Sequence, residues 1–290
     1  MRAICAFNVT NMELVQAVTR AADELGVPVI LQITKGGMKY ASLPYLVGLV
    51  NVARTQVKVP ITLHLDHGDS FELCKQAIEA GFDSVMIDGS HLPYEENIAI
   101  TKRVVDFAKK YSVSVEGELG QIAGIEEHKV AEESLYTDPN VVADYVRRTG
   151  VDSLAISIGT AHGAFKYKSA PKFRFDILER IHAAIPNVPL VLHGASSVVP
   201  SAVDTINRYG GNIQNAIGVD ESILAKTIPL GVRKINIDSD LRLVYTAAIR
   251  EYFAKNPAEF DPRAYLTYAR DQVQQLVKKK LEIFSIDNAQ

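Results

Sequence analysis

Residues Ile61–Phe71 read ITLHLDHGDSF. A strand-like apolar run ends in His64, Asp66, His67 and Asp69, two imidazoles and two carboxylates within six residues. Imidazole nitrogens and carboxylate oxygens are donors that zinc accepts, and a carboxylate beside a metal is also placed for general acid/base work. Adjacent residues of an extended strand face opposite ways. Asp66 and His67 therefore serve one site only if the chain bends there, and Gly68 suits a bend.

The other histidines fall at similar places. His91 follows the fourth strand-like run, His128 lies in the long segment after the fifth, His162 follows the sixth, and His193 closes the seventh. Only His182 lies on a helical pattern, as a surface or packing residue. A catalytic zinc takes three protein ligands and keeps one position open. His67, His162 and His193 meet that requirement if their strand ends converge. On spacing alone, a set of hydrogen-bonded rim histidines remains the alternative.

Two glycine-bearing stretches add anion chemistry. HGASS at 193–197 places Gly194 and Ser196 after a strand, and GTAHGAFK at 159–166 adds Gly163 and Lys166. Backbone N–H groups, a hydroxyl and an ammonium together suit a phosphate. KINIDSDLR at 234–242 offers Asn236, Asp238, Asp240 and Arg242, with one of the two aspartates expected to cap the following helix.

The elements that must position these groups alternate. Strands are expected at Ile4–Phe7, Val29–Ile33, Ile61–Leu65, Ser84–Ile87, Ser114–Glu118, Ser153–Ile158, Leu190–His193 and Lys234–Ile237. Helical patterns lie between them at Met12–Leu25, Ser70–Ala80, Glu95–Lys110, Asn140–Thr149, Arg174–Ala184 and Asp240–Lys255. Eight such units predict an α/β fold, a (β/α)8 TIM barrel, whose active site lies at the C-terminal strand ends. The 290 residues are expected to form one domain, with 256–290 as a C-terminal helical extension. Long segments at 120–138 and 210–227 interrupt the pattern, and long loops in compact barrels usually carry function.

Composition excludes other classes. The net charge is −3 and 47% of residues are hydrophobic, so neither nucleic acid nor an anionic membrane is an expected partner. Two cysteines make no disulfide framework, and a cytoplasmic location is expected. Lys278, Lys279 and Lys280 read as a solvated helix end.

In order along the chain, AFNVTNME, LDHG, MIDGS, EGELG, AHGAFK, LHGASS and KINIDSDLR resemble the motifs of class II, zinc-dependent fructose-1,6-bisphosphate aldolases over nearly the whole length. One departure is that strand one begins almost at once, where family members carry a further N-terminal segment, so less helical cover of the barrel bottom is expected. The resemblance implies His67, His162 and His193 as zinc ligands, with Glu118 at an alternate metal position and Asp88 at a second one. It implies Asp66 as acid/base, Glu126 as the loop group that moves a proton, and Asn236 beside the reacting carbons. Gly163, Lys166, Gly194 and Ser196 match one phosphate site. Asn8, Thr34, Asp238 and Arg242 match further substrate contacts, and Arg263 matches an arginine that reaches the second phosphate from a neighbouring subunit. A homodimer or homotetramer acting on a small sugar bisphosphate follows, together with Zn2+ and a monovalent cation, Na+ or K+.

The expected reaction is reversible cleavage of fructose 1,6-bisphosphate to dihydroxyacetone phosphate and glyceraldehyde 3-phosphate. Zinc acts as Lewis acid on the ketose oxygens, and Asp66 exchanges the proton of the C4 hydroxyl. Tagatose 1,6-bisphosphate, differing at C4, is the alternative substrate. A zinc hydrolase would share the three histidines but needs no two phosphate sites. A catalytically silent binding barrel would have no use for the intact set of Asp66 and three histidines. Lys234, at the start of strand eight, is the one lysine near the barrel interior, and at that end of the strand it does not suit Schiff-base chemistry.

Overall fold

The computed structural model describes residues 1–126, 129–131, 135–162, 173–214 and 216–286, with backbone alone at 123–126, 129–131 and 162. The strands are β1 Ile4–Asn8, β2 Val29–Ile33, β3 Ile61–Gly68, β4 Ser84–Ile87, β5 Ser114–Leu119, β6 Ala123–Glu126, β7 Lys129–Ala131, β8 Ser153–Ile156, β9 Ala161–His162, β10 Leu190–Leu192 and β11 Val232–Ile237. Eight of them close a parallel barrel in the order β1, β11, β10, β8, β5, β4, β3, β2. These are the eight strands expected from sequence, a (β/α)8 barrel. The remaining three make a small sheet in which β6 pairs antiparallel with β7 and parallel with β9. The long segment after the fifth barrel strand is thus partly a hairpin, joined to the chain just beyond the sixth.

Around the barrel lie α1 Met12–Leu25, α2 Lys35–Ala41, α3 Leu43–Gln56, α4 Phe71–Glu79, α5 Tyr94–Ala108, α6 Val142–Thr149, α7 Phe175–Ala184, α8 Pro200–Arg208, α9 Glu221–Ala225, α10 Ser239–Lys255 and α11 Pro262–Phe284. The caps follow local chemistry. Asn11 accepts from the Leu14 N–H at the start of α1, and Gly26 ends it in the left-handed region. Ser70, one residue after Asp69, caps α4 through the Leu73 N–H. Two helices before β3, α2 and α3, are not among the expected helical patterns. Pro44 sits in the first turn of α3, where its missing N–H costs nothing. Among the described residues, no helix is long and apolar enough to cross a membrane.

Side chains two apart on a strand share a face. The apolar alternates Leu63, Leu65, Val85 and Ile87 are buried with the core formed by the strands and helices. The opposite set is polar toward the C-terminal ends: His64 and Asp66, Glu116 and Glu118, Lys234 and Asn236, all buried. Met86, Ala155 and Val191, the register partners of Glu116, Glu118 and Lys234, form a small apolar cluster of their own.

Three expectations need correction. β3 does not stop at Leu65 but runs to Gly68, so three of the four motif residues, His64, Asp66 and His67, are strand residues. Lys234 does not begin the last strand at the wrong end: β11 starts at Val232, and Lys234 is buried inside the barrel. Lys280 is not a solvated helix end, being 1% exposed.

Candidate active site

The bend required at the end of β3 is present, but His67 itself carries it. Its φ is 50°, in the left-handed region that non-glycine residues rarely adopt. The β3–β4 register shifts between Leu65 and Gly68 at the same place. This turn brings Asp66 and the next residue, His67, to one mouth. Gly68 serves close packing: a Cβ there would lie 2.4 Å from the Met86 carbonyl oxygen and 2.8 Å from Cys74 Sγ.

His67 Nε2 lies 2.7 Å from His193 Nδ1, and the two rings stand edge to face at 88°. Asp66 Oδ1 is 3.8 Å from His67 Nε2, and Asp88 Oδ2 is 3.6 Å from His67 Nδ1. Two overlapping donor groups result, Asp66–His67–His193 and His67–Asp88–Glu118, each with ligand atoms within 4.8 Å of one another. Imidazole nitrogen with carboxylate oxygen is a donor set that fits zinc. Burial, reinforced by the neighbouring His67, holds the His193 pKa well below the ordinary imidazole value, so its ring stays neutral and can offer a lone pair.

The second ring nitrogen of His193 is also fixed. Nε2 lies 2.7 Å from Glu116 Oε1, and the other Glu116 oxygen accepts from Lys234 Nζ at 2.8 Å. A carboxylate that accepts at Nε2 leaves the lone pair on Nδ1, which faces His67. Lys234 Nζ also meets His64 Nε2 at 3.1 Å, while His64 Nδ1 meets Ser84 Oγ at 2.7 Å. His64 is therefore engaged away from the candidate metal position. Burial, and then Lys234, lower its pKa well below the ordinary value.

Asp66 is 3% exposed and held by two amides. Asn8 Nδ2 donates to Oδ2 at 2.8 Å, Asn236 Nδ2 donates to Oδ1 at 3.1 Å, and Gln32 Nε2 in turn donates to Asn8 Oδ1 at 2.9 Å. Asn8, expected among the substrate contacts, is thus bonded to the acid/base candidate. Thr34 Oγ1 accepts from the Gly37 N–H and caps α2.

On the opposite side of the mouth, Gly194 has φ 62°, and a Cβ there would lie 2.5 Å from the Ala161 carbonyl oxygen. The turns after β8 and β10 therefore touch directly before His162. The backbone of His162 pairs with Gly124 in the small sheet, and its side chain lies outside the described residues, as does that of Glu126. Gly163, Lys166 and His128 lie outside them altogether. Ser196 is buried, and its Oγ accepts from the Asp238 N–H at 3.2 Å. Asp238 pairs with Arg242 at 2.7 Å. Neither Asp238 nor Asp240 caps α10 as expected: Asp238 stands at the cap position without a side-chain cap bond, and Asp240 is turned inward to the Ser197 and Val198 N–H groups. Arg263 is 89% exposed and pairs with Asp261 in its own chain.

Glu116 and Lys234 open the motifs EGELG and KINIDSDLR without having been given a role in the site, and Gln32 lies outside every motif. The signal available was period two: Glu116 precedes Glu118, and Lys234 precedes Asn236, on one face of a strand.

A family model for fructose-bisphosphate aldolase class-II matches residues 1–289. A fructose-bisphosphate aldolase from Treponema pallidum is 48% identical, with 96% of this chain and 90% of that protein covered. One from Thermus caldophilus is 47% identical, covering 96% and 92%. Among solved structures, the YdjI aldolase of Escherichia coli K12 aligns with a TM-score of 0.79 at 31% identity, covering 99% of this chain and 93% of that one. A fructose-bisphosphate aldolase from Campylobacter jejuni shares the fold at a TM-score of 0.77 and 23% identity, over 98% and 90%.

Proposed function

The chain belongs to the class-II fructose-bisphosphate aldolase family, and on that premise we propose that the mouth around Asp66, His67 and His193 is where it reversibly cleaves fructose 1,6-bisphosphate. The products are dihydroxyacetone phosphate and glyceraldehyde 3-phosphate. One observation carries the assignment of the site: two imidazoles, that of His193 fully buried and that of His67 partly so, present nitrogens to each other at 2.7 Å beside a carboxylate that two amides hold in place. Tagatose 1,6-bisphosphate is the disfavoured substrate, since the relatives compared are named for the fructose sugar.

The metal we assign is zinc, held by His67 and His193 with His162 as third ligand, and with Glu118 and Asp88 around a second position. Bound there, zinc supplies Lewis-acid polarisation of the ketose oxygens. The chain's own residues do the rest. In cleavage, Asp66 removes the proton from the C4 hydroxyl while the C3–C4 bond breaks, and its electron pair passes to the three-carbon ketone fragment. In condensation, Asp66 returns that proton to the aldehyde oxygen. The Asn8 and Asn236 amides keep the Asp66 carboxylate aimed without a change of rotamer. Glu126 is assigned the proton that completes the ketone fragment. Gly194 and Ser196, with Gly163 and Lys166, receive its phosphate, near the monovalent cation. Arg242 and a neighbouring subunit's copy of Arg263 receive the other phosphate, which makes the working unit a homo-oligomer, in the cytoplasm.

Schiff-base chemistry is disfavoured by the state of Lys234. A nucleophilic amine must present a free lone pair, whereas this one is ion-paired with Glu116 and bonded to His64. The decisive test is cleavage of fructose 1,6-bisphosphate with and without a chelator. Activity should vanish on chelation, return with zinc, and survive borohydride in the presence of substrate. Borohydride trapping of a covalent adduct would overturn the metal-based reading. Cleavage of the tagatose isomer at an equal or higher rate would overturn the substrate.

A further inference from the structure

The lysine run in α11 ends in a residue that no surface role explains. Lys280 is buried, and its Nζ donates to Asp240 Oδ2 at 2.5 Å, to Ser197 Oγ at 2.8 Å and to Glu221 Oε1 at 2.5 Å. An ammonium has three protons, and here each has an acceptor. Burial works against its charge, but Asp240 and Glu221 outweigh that and raise its pKa above the ordinary lysine value.

Asp240, fully buried, also holds one turn. It accepts from the Ser197 N–H at 2.9 Å, the Ser197 hydroxyl at 3.1 Å and the Val198 N–H at 2.6 Å. Val198 has φ 52°. A β-branched residue adopts that conformation only where its surroundings over-determine it. The turn is also pinned from outside. The Val219 N–H donates to the Ser196 carbonyl oxygen at 3.2 Å, and a Cβ on Gly218 would lie 2.1 Å from Ser197 backbone atoms.

We propose that the Asp240–Lys280 ion pair is the positioning device of the phosphate-receiving turn Gly194–Val198. The inference rests on the reading of that turn as a phosphate site. Asp240 takes the N–H groups of Ser197 and Val198 to the rear, which fixes the orientation of the peptide units before them and the place of the Ser196 hydroxyl. A carboxylate there would repel an incoming phosphate. Lys280 removes that repulsion from behind, through a helix that otherwise stands outside the barrel. Through Lys280, α11 thereby becomes part of the phosphate-binding apparatus of its own chain, although Lys280 itself does not touch substrate.

The test is Lys280→Met, which keeps the apolar stem and leaves the Asp240 charge uncompensated. Expected are a rise of tenfold or more in KM for fructose 1,6-bisphosphate and an equal weakening of competitive inhibition by inorganic phosphate. The kcat at saturation should change less than threefold, and zinc content should stay at the wild-type level. A purely structural lysine would lower Tm but leave the phosphate inhibition constant unmoved, and that result overturns the proposal. The double variant Asp240→Asn with Lys280→Met removes both charges of that pair, so the net charge of the cluster, now that of Glu221 alone, equals the wild-type one. It serves if the single variant does not fold, and it should still bind inorganic phosphate at least fivefold more weakly, because one amide oxygen cannot replace a carboxylate across two N–H groups and a hydroxyl. Wild-type phosphate inhibition in the folded double variant would equally overturn the proposal. A wild-type enzyme that does not cleave the bisphosphate at all would instead condemn the aldolase reading.

Discussion

His193 is held from both sides of its ring: Nε2 is fixed by Glu116 at 2.7 Å, which turns Nδ1 toward His67. Glu116 in turn is neutralised by Lys234. Carboxylate–histidine pairs of this kind set the tautomer and aim of a metal ligand, and their loss typically costs about 10- to 100-fold in metal affinity. Glu116→Gln should therefore weaken zinc binding by roughly that factor, read by competition with a chelator of known affinity. Unchanged affinity would mean that Glu116 serves only to pair Lys234.

Asp66→Ala removes the proposed acid/base but none of the histidines. Zinc content should stay at wild type, and cleavage should fall by on the order of 10²-fold or more. Hydrogen exchange at dihydroxyacetone phosphate should persist, since Glu126 is assigned that proton. Loss of exchange together with cleavage, with zinc still bound, would show that one carboxylate performs both steps.

The buried neutral histidines predict an acid-sensitive fold. His64 and His193 both have pKa values pushed well below 6.5 by burial, with Lys234 and His67 respectively as the next cause. In the unfolded chain they titrate near 6.5, so below that pH the unfolded state binds more protons. Stability is therefore on its plateau above pH 6.5. It falls as pH drops toward the lowered folded values, by up to about 1.4 kcal/mol per pH unit for each histidine. Denaturant midpoints of zinc-stripped protein should be flat from pH 7.5 to 7.0 and decline from 6.5 to 5.5. In His64→Gln the decline should be shallower, and an identical slope would remove His64 from the account.

Arg263 sits near the turn between α10 and α11, 89% exposed, with Phe260 equally bare beside it. Its pairing with Asp261 is a solvent-exposed one, of the kind that contributes little to stability. Arg263→Ala should leave Tm unchanged and weaken fructose 1,6-bisphosphate binding by on the order of tenfold to a hundredfold, as for a lost charged hydrogen bond. Exchange on dihydroxyacetone phosphate should be intact. Refolding mixed Arg263→Ala and Asp66→Ala subunits should regain activity, because a hybrid dimer holds one site with both groups. Demonstrated hybrids without activity would place Arg263 outside the neighbouring site.

Sequence by itself determined the barrel and much of the donor set. Eight strand-like runs alternating with helical patterns, bounded by residues such as Gly26 and Ser70, specify a parallel barrel because local periodicity and caps are encoded locally. The same order places Asp66, His67 and His193 at strand ends, where that architecture collects its chemistry. Only the tertiary structure decided how those groups face one another. Spacing could demand a bend between Asp66 and His67 but could not say that His67 would bear the left-handed φ while Gly68 packs against Met86. It could not join Glu116 to His193 or Lys234 to Glu116, since those partners are separated by 77 and 118 positions and meet through barrel closure. Lys280 is the sharpest case. Beside Lys278 and Lys279 it has the local pattern of a solvated helix end, and nothing within a helical turn distinguishes it. Its burial is set by Asp240 and Ser197, 40 and 83 positions away, whose charge and hydroxyl make an ammonium stable where water cannot reach.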